Sequence, residues 1–428
     1  MGDNKTKNDY AWEVLFDRHN ILSRVNAEGS FCISSSLINV EREARLMSKF
    51  DNSTHLPKIF RENQLSILPI SRGDYLIGPF VTHEPLNYAP IKPKQVCNPQ
   101  LVTLKPDDLY SESSALLYAF NSGIIQDIMG ANNVNFTVNG RMSSGEFSFS
   151  IKNNKRPLPS TVVVRNSQIE IDAGFESPEA FLICEAKNQA SLELLIRQLY
   201  YPYRLWSDKI SKRVMSAFFA FSNDIFHVFI YSFEDKLNYN SLTLIRYNAY
   251  TIADEKITLR DIINLWKNTK VSAEPEVTFP QANSFPRVLD LLSVLYDDEL
   301  TRSEVTLKYE FDPRQTNYYV SACNYLGFIE LFKTPDNERA YRLTAEARRI
   351  MSLPYKKKYL ALIQKILEKP VFHKAFEIYV KTNILPDKKT IGQIMRQAEF
   401  SIPINETTID RRASTASVWL EWALHLAG

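Results

Sequence analysis

The chain has 428 residues, which is too long for one ordinary domain and predicts two or three. Hydrophobic residues make up 44% and charged residues 23% of the sequence, with a formal net charge of +2, as is typical of a soluble globular protein. Only 12 glycines are present, and neither a Gly-x-Gly-x-x-Gly nor a Walker-type phosphate loop occurs, which argues against a nucleotide cofactor.

No membrane or secretory segment is expected. The first ten residues lack the apolar stretch of a signal peptide, and the most apolar run, at 215–233, is broken by Asn223 and Asp224. The cysteines are far apart and form no Cys-x-x-Cys pair, so a reducing, cytoplasmic setting is expected; they are Cys32, Cys97, Cys184 and Cys323. The histidines are scattered too, which leaves carboxylates as the expected ligands of any metal.

Residues 1–83 predict a small α+β domain. A helical pattern at 13–22 precedes a stretch at 31–51 that changes from strand to helix, and 65–81 alternates like a hairpin. Five prolines then interrupt any regular pattern over 84–106, which predicts a connector.

Residues 107–269 predict a mixed sheet flanked by helices, in an α/β (α+β) architecture. A helix with acidic residues at its start is expected at 107–130, followed by strands at 133–142, 145–152, 160–172 and 180–187. A second helix is expected at 188–201, with Ser191 as its N-cap, and strands return at 214–222, 225–233 and 241–252.

The C-terminal third predicts a DNA-binding helical region. After a linker at 270–283, residues 284–350 show three helices, a stop at Gly327 and a two-strand hairpin, which is the layout of a winged helix; Thr301 and Asp312 are the expected N-caps. The helix that begins at Pro313 is the expected recognition helix, and its candidate DNA contacts are Arg314, Gln315, Asn317 and Tyr318. The alternative is a packing or dimerisation module. A helical region completes the chain at 351–428, where Lys356, Lys357 and Lys358 are expected to contact phosphates.

The candidate catalytic motif is a triplet made of an acidic residue, any residue and a lysine. Five such triplets occur, beginning at Asp3, Glu185, Glu234, Asp254 and Asp387, so the triplet alone carries little weight. That at Glu185 ends an apolar strand, follows another strand that carries Asp172, and precedes the predicted helix. Because residues two apart share a strand face, Glu185 and Lys187 should point together, with Cys184 and Ala186 turned to the core. The triplet at Glu234, with Asp224 upstream, is the rival.

Two readings of the Glu185 triplet remain open on spacing alone. The strand ends could carry charges that merely face water. Alternatively, two carboxylates without histidine or thiolate form a hard-oxygen site suited to Mg²⁺, which also accepts phosphate oxygens. A nearby ammonium could then hold the attacking hydroxide or stabilise the developing charge on phosphorus.

Asp172, a gap and then Glu185-Ala186-Lys187 resemble the signature of the PD-(D/E)XK nucleases, although Ile171 stands where the signature has proline. Segments at 45–80, 139–149, 195–206, 279–292 and 410–422 resemble, in the same order, one family of type II restriction endonucleases. The resemblance implies a PD-(D/E)XK mixed-sheet nuclease core, with Asp172 and Glu185 as Mg²⁺ ligands and Lys187 as the catalytic lysine. Weaker assignments are Glu146 as an additional acid and Arg141, Arg197 and Gln198 as DNA contacts, and the domain at 1–83 is a further candidate for DNA recognition.

The expected function is therefore Mg²⁺-dependent, site-specific cleavage of double-stranded DNA by a bacterial restriction enzyme, leaving 5′-phosphate and 3′-hydroxyl ends. A cognate DNA methyltransferase would protect the same site in the host, and a homodimer is one expected assembly. One alternative is a repair or mobile-element nuclease on the same core. Another is a winged-helix DNA-binding regulator with an inactive core.

Overall fold

A computed structural model describes residues 5–89, 91–106, 109–252, 255–296, 298–308, 313–335 and 337–427, apart from the side chains of 307, 308, 313 and 314. None of the helices in these ranges combines the length and the apolar character that a transmembrane span needs. The architecture is mixed α and β, in three units along the chain.

The N-terminal unit packs helices around a small antiparallel sheet of order β1-β3-β2. Thr6 and Asp9 form a reciprocal capping box that starts the first helix, and Trp12 of that helix is fully buried against Phe60. The elements are α1 (Lys7–Arg18), α2 (Ile21–Glu28), β1 (Phe31–Ser34), α3 (Ser35–Asn39), α4 (Ala44–Ser48), α5 (Lys58–Glu62), β2 (Ser66–Pro69) and β3 (Asp74–Gly78). The expected hairpin is β2–β3.

The middle unit is built on a seven-stranded mixed sheet of order β5-β14-β13-β12-β10-β9-β6. Its elements are β4 (His83–Pro85), β5 (Lys94–Gln95), α6 (Glu112–Asn121), α7 (Ile124–Met129), β6 (Asn135–Ser143), β7 (Glu146–Ile151), β8 (Ser160–Arg165), β9 (Gln168–Glu176), β10 (Ala180–Lys187), β11 (Glu193–Leu195), α8 (Arg197–Lys209), β12 (Arg213–Ser222), β13 (Ile225–Phe233) and β14 (Leu242–Thr251). Strand β10 runs parallel to β12, and β14 parallel to β5; the other neighbours are antiparallel.

Both faces of this sheet are covered, as the expected mixed sheet flanked by helices requires. Helices α6 and α7 pack on one face, where Cys184 and Ala186 are buried among them. Helix α8 and the β7–β8 hairpin cover the other face. Gly174 in β9 lies beside Phe181, and a Cβ there would approach the phenyl ring to 2.9 Å, so a larger residue would require that ring to move.

The helix expected at 188–201 is wrong in its first half. Residues Glu193–Leu195 form strand β11 and pair with β4, so the helix begins only at Arg197. Ser191 caps nothing; it is buried, and its hydroxyl has no partner among the described residues. Tertiary strand pairing overrides the helical spacing of the leucines here. The expected proline-rich connector also contains strand residues: β4, which begins at His83 and pairs with β11, and β5, which pairs with β14.

The C-terminal unit shares one large core. Its elements are α9 (Leu259–Asn268), α10 (Phe285–Val294), β15 (Leu300–Thr301), α11 (Arg302–Lys308), α12 (Pro313–Tyr325), β16 (Ile329–Lys333), β17 (Arg339–Leu343), α13 (Ala345–Met351), α14 (Tyr355–Leu367), α15 (Pro370–Thr382), α16 (Lys388–Gln397) and α17 (Glu406–His425). Helix α9 packs on α14 and α15, although the expected middle unit included it. Thr301 caps α11 as expected, whereas Asp312 lies outside the described residues.

Candidate active site

A β-bulge in β9 aims Asp172 at the end of β10. Against β6, Val138 faces Gly174 and Gly140 faces Ile171, so β9 carries one extra residue between these pairs. Against β10, the regular pairing stops at Cys184 and Ala173. Beyond it the backbone N–H of Ala186 donates to Asp172 Oδ2 at 2.8 Å. The bulge therefore replaces a backbone partner with a carboxylate, a device common beside functional sites.

Glu185 and Lys187 project together from β10 on the face opposite Cys184 and Ala186, as the strand alternation predicts. Lys187 Nζ lies 2.9 Å from Glu185 Oε1, and Glu185 is only 6% exposed. The side-chain amide of Gln198, on the first turn of α8, donates to the same carboxylate oxygen. Gln198 therefore contacts a proposed metal ligand, in addition to any role in holding DNA.

Two further acids contact Lys187. Asp51 Oδ2, from the N-terminal unit, lies 3.4 Å from the ammonium, and Glu112 Oε1, at the start of α6, lies 3.9 Å away. The Asp51 segment is held against the middle unit, because the Ser53 N–H donates to Glu193 of β11. Neither acid was singled out from the sequence, where Glu112 is one of the acids at the start of a predicted helix and Asp51 ends the stretch that changes from strand to helix.

Burial and mutual charge set the protonation of this cluster. Burial raises the pKa of Glu185 to about 7, although the Lys187 ammonium opposes the shift. Burial also raises the pKa of Asp172, against the stabilising Ala186 N–H. Burial by itself would lower the pKa of Lys187, but the carboxylates of Glu185, Asp51 and Glu112 hold it well above its usual range. Lys187 therefore stays protonated among these carboxyl groups, and the pKa of one of them, Glu185, lies close to neutral pH.

The cluster opens into a cavity of about 520 Å³ between the N-terminal and middle units. Its wall includes Asp172, Glu185, Lys187 and Gln198. Five more of its lining residues are basic, and they come from both units: Arg45, Lys49, Arg72, Arg141 and Arg197. Arg141 also forms an ion pair with Glu170 at 3.3 Å. This combination of a buried acidic centre and a basic wall suits a phosphate-bearing substrate.

Other sequence-based assignments lie apart from this cavity. Glu146 is exposed on β7, outside the residues that line it, so the structure does not bring this additional acid to the cluster. Gln315, Asn317 and Tyr318 are exposed on α12 and therefore open to a partner, and the Arg314 side chain lies outside the described residues. The expected phosphate contact of Lys358 is wrong, because its ammonium is buried 2.9 Å from Asp224.

The carboxylates fit a hard divalent cation by their chemistry. Asp172 and Glu185 carry carboxylate oxygens of the kind such a cation prefers, and Asp51 Oδ1 is buried with no hydrogen-bond partner among the described residues. Within the described part of the chain no three Asp, Glu, His or Cys residues are arranged to hold a metal ion. Mg²⁺ needs fewer, since it commonly takes one or two carboxylates, several waters and substrate phosphate oxygens.

Three family models match successive parts of the chain. Residues 9–77 match a domain of unknown function (DUF6996), residues 78–251 a second (DUF6997), and residues 287–428 a third (DUF7226). No curated protein and no solved structure matches the chain significantly.

Proposed function

We propose that this protein is a Mg²⁺-dependent, sequence-specific endonuclease of the restriction type, acting on double-stranded DNA. The observation that carries the proposal is the meeting of Asp172, Glu185 and Lys187 in one cavity with a basic wall. A solvated strand end would leave these charges exposed, whereas Glu185 is 6% exposed and the Lys187 side chain 13% exposed. Burying such charges costs free energy, which a functional site explains.

The roles follow from the contacts. Asp172 and Glu185 would hold Mg²⁺, which when bound makes its water more acidic and neutralises phosphate charge. Lys187 stays protonated among its carboxylates and would stabilise the charge that develops on the phosphate oxygens. The reaction is hydrolysis: a water oxygen bonds to phosphorus and the bond to the 3′ oxygen breaks. Gln198 restricts the Glu185 carboxylate to one orientation.

DNA binding would be divided between two units. Arg45, Lys49 and Arg72 of the N-terminal unit line the cavity and would contact phosphates near the scissile bond. The exposed surface of α12, with Gln315 and Asn317, would read base edges in the major groove, as its helix–helix–helix–hairpin setting favours. A methyltransferase that modifies the same site would be the functional partner, and a second copy of the chain would supply the cut in the other strand.

Cleavage of phage DNA tests the proposal. Purified protein with Mg²⁺ should cut undamaged, unmethylated phage DNA into discrete, reproducible fragments, and chelator or Glu185→Ala should prevent cutting. Ca²⁺ should support binding without cleavage. A smear would indicate a nonspecific nuclease, cutting confined to nicks or flaps a repair enzyme, and a mobility shift without cutting a regulator. Each of these three results would overturn the proposal.

A further inference from the structure

The segment directly after Lys187 is held by the C-terminal unit. Residues 188–192 leave β10 and cross toward β11 without regular structure. Asn188 lines a small cavity together with Asp290 of α10 and the β12–β13 turn. The C-terminal unit therefore reaches the end of the catalytic strand, although about 100 residues separate the two in sequence.

Asp290 is the residue that makes this connection. It is 3% exposed, and its Oδ1 accepts a hydrogen bond of 2.6 Å from the Ser222 hydroxyl at the end of β12. Asn223 Nδ2 lies 3.4 Å from the same oxygen. The backbone N–H of Ala190 lies close enough to the Asp290 carboxylate to favour its ionised form and lower its pKa. One carboxylate on α10 thus links the loop after Lys187 to the neighbouring strand end.

The surroundings of Asp290 suit a fixed acceptor. The charged and titratable groups that interact electrostatically with Asp290 are Arg287 of its own helix, Tyr319 of α12 and Tyr359 of α14. Burial raises the pKa of Asp290 to about 6, against the hydrogen bonds from Ser222 and Ala190. A buried carboxylate with several donors is held firmly, because losing any one donor leaves a desolvated charge less well satisfied.

We propose that Asp290 is a positioning residue for the cleavage centre, fixing residues 188–192 and through them Lys187. The proposal rests on the proposed nuclease function and assigns Asp290 no contact with substrate. Helix α10 packs on α12, where Leu289 and Val320 share one core, and Tyr319 of α12 lies near Asp290. The same carboxylate therefore lies between the helix proposed to read bases and the lysine proposed to act on phosphate.

Asp290→Asn tests this with a matched control. Asn keeps the size of the side chain but presents an amide NH₂ group to the hydrogen-bond donors around it. The control, Glu274→Gln, changes another buried acid of the C-terminal unit, which accepts a hydrogen bond from Tyr325 at 2.6 Å. Asp290→Asn should lower kcat about 10- to 100-fold, as expected for a displaced catalytic group. Specific DNA binding in Ca²⁺ should change less than about twofold, because Asp290 is buried away from the DNA. Glu274→Gln should leave kcat unchanged.

Hydrogen exchange supplies a readout that does not need activity. Asp290→Asn should speed exchange of the amides at 188–192 at least about tenfold while the core strands stay protected. Ser222→Ala, which removes one donor without changing charge, should produce a smaller change in the same segment. Unchanged exchange at 188–192 in folded Asp290→Asn, or an equal loss of kcat in Glu274→Gln, would overturn the positioning role. A wild-type protein that never cuts DNA would overturn the nuclease proposal instead. The hydrogen-exchange rates at 188–192 would still test whether Asp290 fixes that segment.

Discussion

The chain contains two acidic-x-lysine triplets at the ends of apolar strands, and they lie in opposite environments. Glu185 and Lys187, at the end of β10, are buried together with Asp172 and Asp51 around them. Glu234 and Lys236 follow β13 at the surface, where Glu234 accepts from Thr243 and Lys236 pairs with Asp208. The same residue types and spacing thus occur in a charged cluster and in a solvated loop.

Strand topology accounts for the difference. Asp172 lies on β9, the antiparallel neighbour of β10, so its carboxylate meets the end of that strand. Asp224 precedes β13 and Glu234 follows it, so the two acids are separated by the full strand, roughly 30 Å at the usual rise per residue. Residue spacing determines which face of the strand a side chain lies on, whereas the neighbouring strand and the elements packed against it determine which charged groups meet.

The largest expected effect is on the rate of DNA cleavage, which substitutions in the Glu185 triplet should reduce and substitutions in the Glu234 triplet should not. Glu185→Ala should reduce the rate of DNA cleavage by at least about 10³-fold, because it removes both a proposed Mg²⁺ ligand and the partner of Lys187. Asp172→Ala and Lys187→Ala should behave alike, with specific binding in Ca²⁺ retained. Glu234→Ala is the matched control and should cut like the wild type in a single-turnover assay. An inactive Glu234→Ala would reverse the assignment.

The rival acid Asp224 should instead matter for stability. Asp224→Asn removes the charge opposite Lys358 while tolerating the left-handed backbone at φ 61°. Leaving a buried ammonium unpaired should cost about 3–5 kcal/mol of unfolding free energy, measured by urea denaturation. Adding Lys358→Met should restore much of that loss. A stable single variant would show that the ion pair contributes little.

The affinity for a divalent metal ion should depend on pH through the protonation of Glu185. Because the pKa of Glu185 is held at about 7 and a protonated carboxyl is a poor ligand, Ca²⁺ should bind about tenfold more weakly at pH 6 than at pH 8. Calorimetry at the two pH values measures this, and proton release should accompany binding at the lower pH. Glu185→Gln should remove the pH dependence and Glu234→Gln should preserve it. Equal affinity at both pH values in the wild type would contradict the assignment of Glu185 as a ligand.

The smallest effects are expected at the solvated triplet. Glu234→Ala and Lys236→Ala should each leave the unfolding free energy within about 0.5 kcal/mol of the wild type, since exposed ion pairs contribute little. Thermal melting in low and high salt is the measurement. A marked, salt-dependent loss in either variant would reveal a structural role at the β13–β14 connection.

Local patterns predicted local features of the site. Strand alternation correctly placed Cys184 and Ala186 in the core and Glu185 with Lys187 on the opposite face. It could not predict the bulge that turns Asp172, because one extra residue in β9 has no periodic signal. Nor could it bring Asp51 to Lys187, since that contact depends on how two units pack.

Tertiary partners explain the remaining differences. Leucines at helical spacing suggested a helix from 188, but β4 was available to pair with Glu193–Leu195. Three successive lysines suggested a phosphate-binding surface, but Asp224 and Asp261 were close enough to pair with Lys358 and Lys356. In both cases a partner distant in the chain determined the outcome: a pairing strand for Glu193–Leu195, and an acidic residue for each of the two lysines.

The contact of Asp51 with Lys187 bears on how this protein could be re-engineered. Modular design assumes that a cleavage module can be excised and fused to a new DNA-reading module. Here Lys187 contacts the Asp51 carboxylate of the N-terminal unit, and the loop after Lys187 borders Asp290 of the C-terminal unit. Fragments cut at the linkers would lose one or both of these contacts, so the specificity of the proposed nuclease is better altered within the intact chain than by exchanging its parts.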